Sequence, residues 1–189
     1  MGIIRTFIAV EIDNLTKQKI SELISNLKKS DADAKWIAEN QMHLTLKFLG
    51  NIEENKVQEI SDTLKSIASA FREFDIALSG IGAFPDIKRP RVIWIGIDKG
   101  ADNLKSLANQ VEMEMGKLGF EKEKRGFKSH LTLGRVRSSK NISNLIDLIK
   151  KTDFSYSNEI KINELILFQS MLTPKGAVYT QLAGLNLKK

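Results

Sequence analysis

The chain has 189 residues, of which 42% are hydrophobic and 28% are charged, a composition typical of a soluble globular protein with one domain or two small lobes. It contains no cysteine, which excludes disulfide bonds, thiolate metal sites and a cysteine nucleophile, and its two histidines are too few for an ordinary structural zinc site. The net charge of +6 suits a polyanionic partner. No apolar run reaches the length of a membrane span, and the first residues resemble a strand rather than a signal peptide, so we expect a cytoplasmic protein with no membrane segment.

In the first half of the chain, predicted strands alternate with amphipathic helices. Asn14 is the predicted N-cap of the first helix. A capping box of Asn51 and Glu54 is expected to begin the second helix, with Gly50 ending the strand before it. The predicted elements are a strand at residues 3–12, a helix with an apolar stripe at 20–27, a turn at 31–34, an extended piece at 36–37, a strand at 42–49 and a helix with a stripe at 57–71.

The second half begins with a predicted hairpin, whose first strand is interrupted at Gly80 and Gly82. A third helix is expected to begin at Asp102 or Asn103 and to stop at Gly119. The predicted elements are hairpin strands at residues 74–84 and 91–98, a helix with a stripe at 104–118, a strand at 130–133, a helix with a stripe at 142–149, and strands at 160–168 and 177–185 around a turn at 172–176.

The tetrapeptide His-Leu-Thr-Leu occurs twice, at residues 43–46 and 130–133, and it contains both histidines of the chain. Its alternation of polar and apolar residues predicts a half-buried strand. His43 and Thr45 are therefore expected on one face, and His130 and Thr132 on the corresponding face of the second copy. The two copies lie 130 − 43 = 87 residues apart, each between two predicted helices. This order predicts two similar halves that face one another across a cleft, within a single domain spanning residues 1–189.

Two imidazoles across one cleft provide an acid and a base near neutral pH. The threonine hydroxyls can donate hydrogen bonds to an anionic group between the rings. This arrangement suits a phosphodiester, in which the attacking and leaving oxygens are roughly in line at phosphorus. The alternative is that two ordinary strands carry surface histidines. No Gly-rich phosphate loop, Walker lysine or serine triad occurs, and no carboxylate lies near either histidine in sequence, so neither a P-loop nor a metal is indicated.

Arg135 strengthens the phosphate hypothesis, because a guanidinium binds phosphate oxygens in a bidentate manner. Strict alternation points Arg135 away from Thr132, but a bulge at Gly134 would turn it back. Lys47 has the parity to join Thr45 in the cleft. Further candidates for a longer anionic substrate are the basic residues Lys88, Arg89, Arg91, Lys122, Lys124, Arg125 and Lys128 and, for base stacking, Phe48, Phe84, Phe127 and Trp94.

These motifs resemble the 2H phosphoesterase superfamily, which is named for two copies of a His-x-Thr/Ser-x motif. Four stretches resemble its RNA 2′,3′-cyclic phosphodiesterase branch, long called 2′-5′ RNA ligases. They are residues 5–11 (RTFIAVE), 43–50 (HLTLKFLG), 90–94 (PRVIW) and 130–135 (HLTLGR). The resemblance implies an α+β, bilobal fold of two pseudo-symmetric lobes, with antiparallel sheets lining a central cleft and helices outside.

The resemblance further implies an enzyme that hydrolyses RNA 2′,3′-cyclic phosphate ends to 2′-phosphomonoesters without a metal or other cofactor. His43 would donate a proton to the departing 3′ oxygen and His130 would activate water, while Thr45, Thr132 and Arg135 would hold the phosphate. The expected partners are RNA ends or nucleotides with a 2′,3′-cyclic phosphate, and the expected state is a monomer. Two alternatives stay open: the reverse reaction, which joins tRNA halves through a 2′-5′ bond, and a nucleotide- or RNA-binding module without catalysis.

Overall fold

The structure is a computed structural model that describes residues 2–124, 126–174 and 176–189. Within these residues the chain forms nine strands and four α-helices, besides a 3-10 helix at Glu39–Gln41. The strands are β1 (Ile3–Val10), β2 (Ala34–Trp36), β3 (Leu44–Glu53), β4 (Phe74–Phe84), β5 (Val92–Ile97), β6 (His130–Val136), β7 (Ser155–Ile162), β8 (Glu164–Thr173) and β9 (Gly176–Asn186). The helices are α1 (Asn14–Lys28), α2 (Lys56–Ala70), α3 (Ala101–Lys117) and α4 (Ile142–Lys151).

Two antiparallel sheets organise the fold. One sheet has the strand order β3-β1-β8-β9 and contains the first histidine motif, and the other has the order β2-β6-β5-β4-β7 and contains the second. The paired strands within each sheet are antiparallel. The two halves pair their histidine strands in the same way. β3 pairs with β1, which precedes α1, and β6 pairs with β5, which precedes α3. The predicted bilobal α+β architecture is therefore confirmed.

A large hydrophobic core takes residues from both sheets and from all four helices. On β1 the alternation places Ile8 in this core, whereas its neighbours Phe7 and Ala9 lie in a separate small cluster with Ile166 and Phe168. Since the small cluster occupies the opposite face of the four-stranded sheet, that face is apolar as well. None of the helices in the described part of the chain is long and apolar enough to cross a membrane.

Among the helix and strand ends that differ from prediction are those of α1, β3 and α2. Asp13, not Asn14, caps α1, because its carboxylate accepts the Thr16 amide at 2.8 Å. Gly50 does not end β3, which continues to Glu53 because it stays paired with β1. The predicted capping box of Asn51 and Glu54 is therefore wrong, since Asn51 is still in the strand and the N-cap of α2 is Asn55.

The single strand predicted at 160–168 is also wrong. It is two strands, β7 and β8, which belong to different sheets and are separated by Asn163. Ile162 is fully buried at the end of β7, where it pairs with Phe74, and Leu165 is fully buried near the start of β8, where it pairs with Leu185. The polar residues Asn163 and Glu164 interrupt the alternation at the junction, but an irregularity within one strand would give the same pattern. Local periodicity therefore does not show that the chain leaves one sheet for the other.

Candidate active site

Both histidines line one cleft between the two sheets, a cavity of about 410 Å³. Thr45, Thr132 and Arg135 line the same cavity. The five side chains selected from the sequence thus come together, although their two groups are far apart along the chain. The cavity also contains residues that no recurring sequence pattern indicates, among them Gln41 and Tyr179.

His43 lies immediately before β3 and is packed among aromatic rings. Its imidazole stacks on Phe7 with a centroid distance of 4.7 Å, and the ring of Tyr179 meets it edge-on at 5.1 Å. Burial lowers the pKa of His43 to about 4, a shift that a hydrogen bond to the backbone of Gln41 opposes and the charge of Lys17 reinforces. In the unliganded protein His43 is therefore neutral at neutral pH.

His130 is the first residue of β6 and lies edge-on to Phe84 at 5.0 Å. Its Nδ1 is 2.7 Å from the carbonyl oxygen of Lys128, so a neutral ring donates Nδ1–H to that carbonyl and keeps a lone pair on Nε2. Burial is the largest cause that lowers the pKa of His130; the Lys128 carbonyl opposes it, and the positive charges of Arg135 and Lys128 add to it.

A β-bulge in each histidine strand decides which side chains face the cleft. Between β5 and β6, Trp94 pairs with Thr132 and Ile93 pairs with Gly134, so Leu133 is an extra residue on β6. The extra residue reverses the alternation, which places Gly134 on the buried face and Arg135 in the cleft beside Thr132.

The first motif has the same bulge at the same position. Ala9 pairs with Thr45 and Ile8 pairs with Lys47, which leaves Leu46 as the extra residue on β3. Phe48 is the fifth residue after His43, as Arg135 is the fifth after His130, so the matching bulges place the two at equivalent positions. Phe48 is 54% exposed and also lines the cavity. One side of the cleft is thus aromatic where the other is basic.

Lys47 is buried, although it contributes to the cavity lining. Its ammonium donates to the Glu112 carboxylate at 2.7 Å and to the carbonyl oxygen of Glu121 at 2.9 Å. The second oxygen of Glu112 accepts the backbone N–H of Glu123 at 3.0 Å. Lys47 and Glu112 therefore join β3, α3 and the segment that leads to His130. Glu112 was not a sequence candidate, since a single carboxylate on a helix carries no signal.

The other sequence candidates divide into three groups. Phe127 and Lys128 line the cavity, and Phe84 and Trp94 pack beside His130. The groove next to the cavity is lined by Lys122 and Lys124 and shares Phe48 with it. The loop cations Lys88, Arg89 and Arg91 are not among the described residues that line the cavity, and Arg125 lies outside the described residues. Across the described part of the chain, no three His, Asp or Glu side chains lie together as a metal-binding group.

The fold and the cleft, with one histidine and one threonine from each sheet, define a two-histidine phosphoesterase. The sequence model described as LigT like phosphoesterase matches residues 10–94 and again residues 95–179, so each match contains one histidine motif. The chain therefore belongs to the LigT-like phosphoesterase family, and it is an enzyme of this kind.

Curated relatives agree with this assignment, and a solved structure has the same fold. The chain is 37% identical over 178 residues to an RNA 2′,3′-cyclic phosphodiesterase of Archaeoglobus fulgidus, covering 94% of this chain and 97% of the relative. It is 32% identical over 184 residues to a protein of the same name from Methanothermobacter thermautotrophicus, covering 97% and 99%. The crystal structure of E. coli LigT complexed with 3′-AMP superposes with a TM-score of 0.80 at 22% identity, covering 100% of both chains.

Proposed function

We propose that this protein hydrolyses 2′,3′-cyclic phosphodiester ends of RNA to 2′-phosphomonoesters, with one histidine as acid and the other as base. The observation that carries the proposal is the pair of imidazoles from different sheets that line one cavity with two threonine hydroxyls and a guanidinium. The family relatives named RNA 2′,3′-cyclic phosphodiesterase identify the same class of substrate.

In the proposed step, water attacks phosphorus while the bond from phosphorus to O3′ breaks. His130 Nε2 accepts a proton from the water, and the imidazolium of His43 donates a proton to O3′. The products are a 2′-phosphate and a free 3′-hydroxyl, and both rings exchange their protonation states. Thr45, Thr132 and Arg135 hold the non-bridging oxygens, whose charge increases as the nucleophile adds. The step needs no metal.

Burial is the largest cause of the lowered pKa of both rings. At His130 the positive charges of Arg135 and Lys128 add to this effect, so the ring is neutral and able to act as a base. A phosphate anion entering the cleft stabilises an imidazolium at His43. The acid is therefore protonated as the substrate binds rather than in the free enzyme.

The test is hydrolysis of an oligonucleotide that ends in a 2′,3′-cyclic phosphate, assayed by phosphorus NMR in the presence of a chelator. We expect a 2′-phosphate, and we expect His43→Ala and His130→Ala each to lower kcat by about 10²–10⁴-fold. Lys65→Met, on the surface of α2, is the matched control and should react like the wild type. A wild-type protein that forms no 2′-phosphate would overturn the proposal, as would full activity in the double variant.

Because the same acid and base serve both directions, the reverse joining reaction is measured in the same experiments. tRNA halves that carry a 2′,3′-cyclic phosphate and a 5′-hydroxyl are incubated with the enzyme, and products are examined for a 2′-5′ linkage. Hydrolysis without joining at equal enzyme concentration is the expected result.

A further inference from the structure

Lys35 lies directly beside Arg135 on the cleft face of the five-stranded sheet. It is the middle residue of the edge strand β2 and pairs in register with Arg135. Its neighbour Trp36 faces the core, since a methyl group added to Gly134 would lie 2.8 Å from the Trp36 ring. Alternation along both strands then puts Lys35 and Arg135 together on the other face. Side chains paired in this way have Cβ atoms about 5 Å apart.

The two cations stand opposite one another without a carboxylate between them. In the described part of the chain neither Lys35 nor Arg135 forms an ion pair, and both are exposed. Asp33, two residues earlier in the chain, lies next to Arg137 instead, through the hydrogen bond from the Arg137 amide to its carbonyl. Like charges directly opposite on neighbouring strands are unfavourable. An anion between or beside them would remove this repulsion.

From this pair we infer a second phosphate subsite, formed by Lys35 at the rim of the cleft, for the phosphate on the 5′ side of the terminal nucleotide. The inference rests on the proposed function, which places the cyclic phosphate between the histidines, with Arg135 on the side of Lys35. A chain of phosphates leaving the cleft along this sheet meets Lys35 immediately after Arg135. The substrate is then a nucleotide or an RNA end with two phosphates in succession, rather than a nucleoside cyclic phosphate alone.

Three substrates separate the sources of that second phosphate. Adenosine 2′,3′-cyclic phosphate has none, its 5′-phosphorylated form has a terminal one, and the dinucleotide ApA with a 2′,3′-cyclic phosphate end has an internal phosphodiester. The variants are Lys35→Met, which keeps the length of the side chain without its charge, Lys35→Arg, which keeps a cation, and the control Lys65→Met on α2.

We expect Lys35→Met to raise KM for the two substrates with a second phosphate about three- to ten-fold, the effect of one partly exposed charge contact. Its kcat and its KM for adenosine 2′,3′-cyclic phosphate should not change, and Lys35→Arg should restore most of the loss. The slope of log KM against log salt for the dinucleotide should become shallower by about 0.7, as expected when one single-strand phosphate contact is removed. If Lys35→Met raises KM for the dinucleotide alone, the subsite binds the RNA backbone. If it raises KM for the 5′-phosphorylated nucleotide alone, the subsite binds a terminal phosphate.

Equal losses with all three substrates, or no loss with any, would overturn the subsite. Its failure is distinguishable from failure of the proposed function, because binding is measured without turnover. Calorimetry should show that the wild type binds adenosine 3′,5′-bisphosphate more tightly than 3′-AMP, and that Lys35→Met removes the difference. If the wild type hydrolyses none of the three substrates but this difference is observed, the subsite stands and the proposed reaction does not.

Discussion

Acid is expected to destabilise this fold through His43, because a buried imidazole resists protonation. Its pKa is about 4 in the folded protein, compared with 6.5 for an unperturbed histidine. Between these values the unfolded chain binds a proton that the folded chain does not bind, so the free energy of unfolding decreases as the pH falls. This contribution is complete above pH 6.5 and is lost as the pH approaches 4. At pH 4.5 the loss relative to pH 7.5 is about 2–3 kcal/mol.

The assay is equilibrium unfolding by guanidinium chloride at pH 7.5 and pH 4.5, for the wild type and for His43→Gln, which does not titrate. Carboxylates and His130 contribute to both proteins, so the difference between the two pH dependences isolates His43. The wild type should lose about 2–3 kcal/mol more than the variant between these pH values. His130→Gln should show a change of the same sign, since its pKa is also lowered by burial. Identical pH dependences for wild type and His43→Gln would refute the argument.

Three further predictions concern the cleft. Inorganic phosphate should raise the pKa of His43 and His130, seen as displaced titration curves of the imidazole protons in NMR; curves unchanged by saturating phosphate would contradict an anion site between the rings. Lys47→Met should destabilise the protein by about 3 kcal/mol in denaturant unfolding, because it leaves the Glu112 carboxylate uncompensated beside a buried position. The double variant with Glu112→Gln should lose less stability than the sum of the two single variants. Additive losses would show that the pair is not coupled. Phe48→Ala should remove about 1–3 kcal/mol of base stacking and so raise KM for oligonucleotides, whereas Phe48→Tyr should keep the stacking and the wild-type KM. An alanine variant with wild-type KM would show that no base stacks there.

The structure changes the interpretation of Lys47 and explains that of Arg135. Parity along the strand predicted that Lys47 joins Thr45 in the cleft, but the bulge at Leu46 reverses the alternation and leaves Lys47 buried. Its ammonium is bonded to Glu112 and to the Glu121 carbonyl, groups from distant parts of the chain. The predicted bulge near Gly134 exists, with Leu133 as its extra residue. A glycine permits such a bulge, but only the pairing with β5 fixes which residue is extra, and that residue decides the direction of Arg135.

The sequence by itself predicted most of the local elements and the residues of the candidate site. Alternation and helical spacing are properties of consecutive residues, so the strands around the histidines, the four helices and the repeated motif could be predicted from it. Tertiary structure alone decided three things: the division of residues 155–173 between two sheets, the burial that lowers the pKa of His43, and the pairing that sets Lys35 against Arg135. Each depends on strands that meet only after folding, and no window of neighbouring residues contains that information.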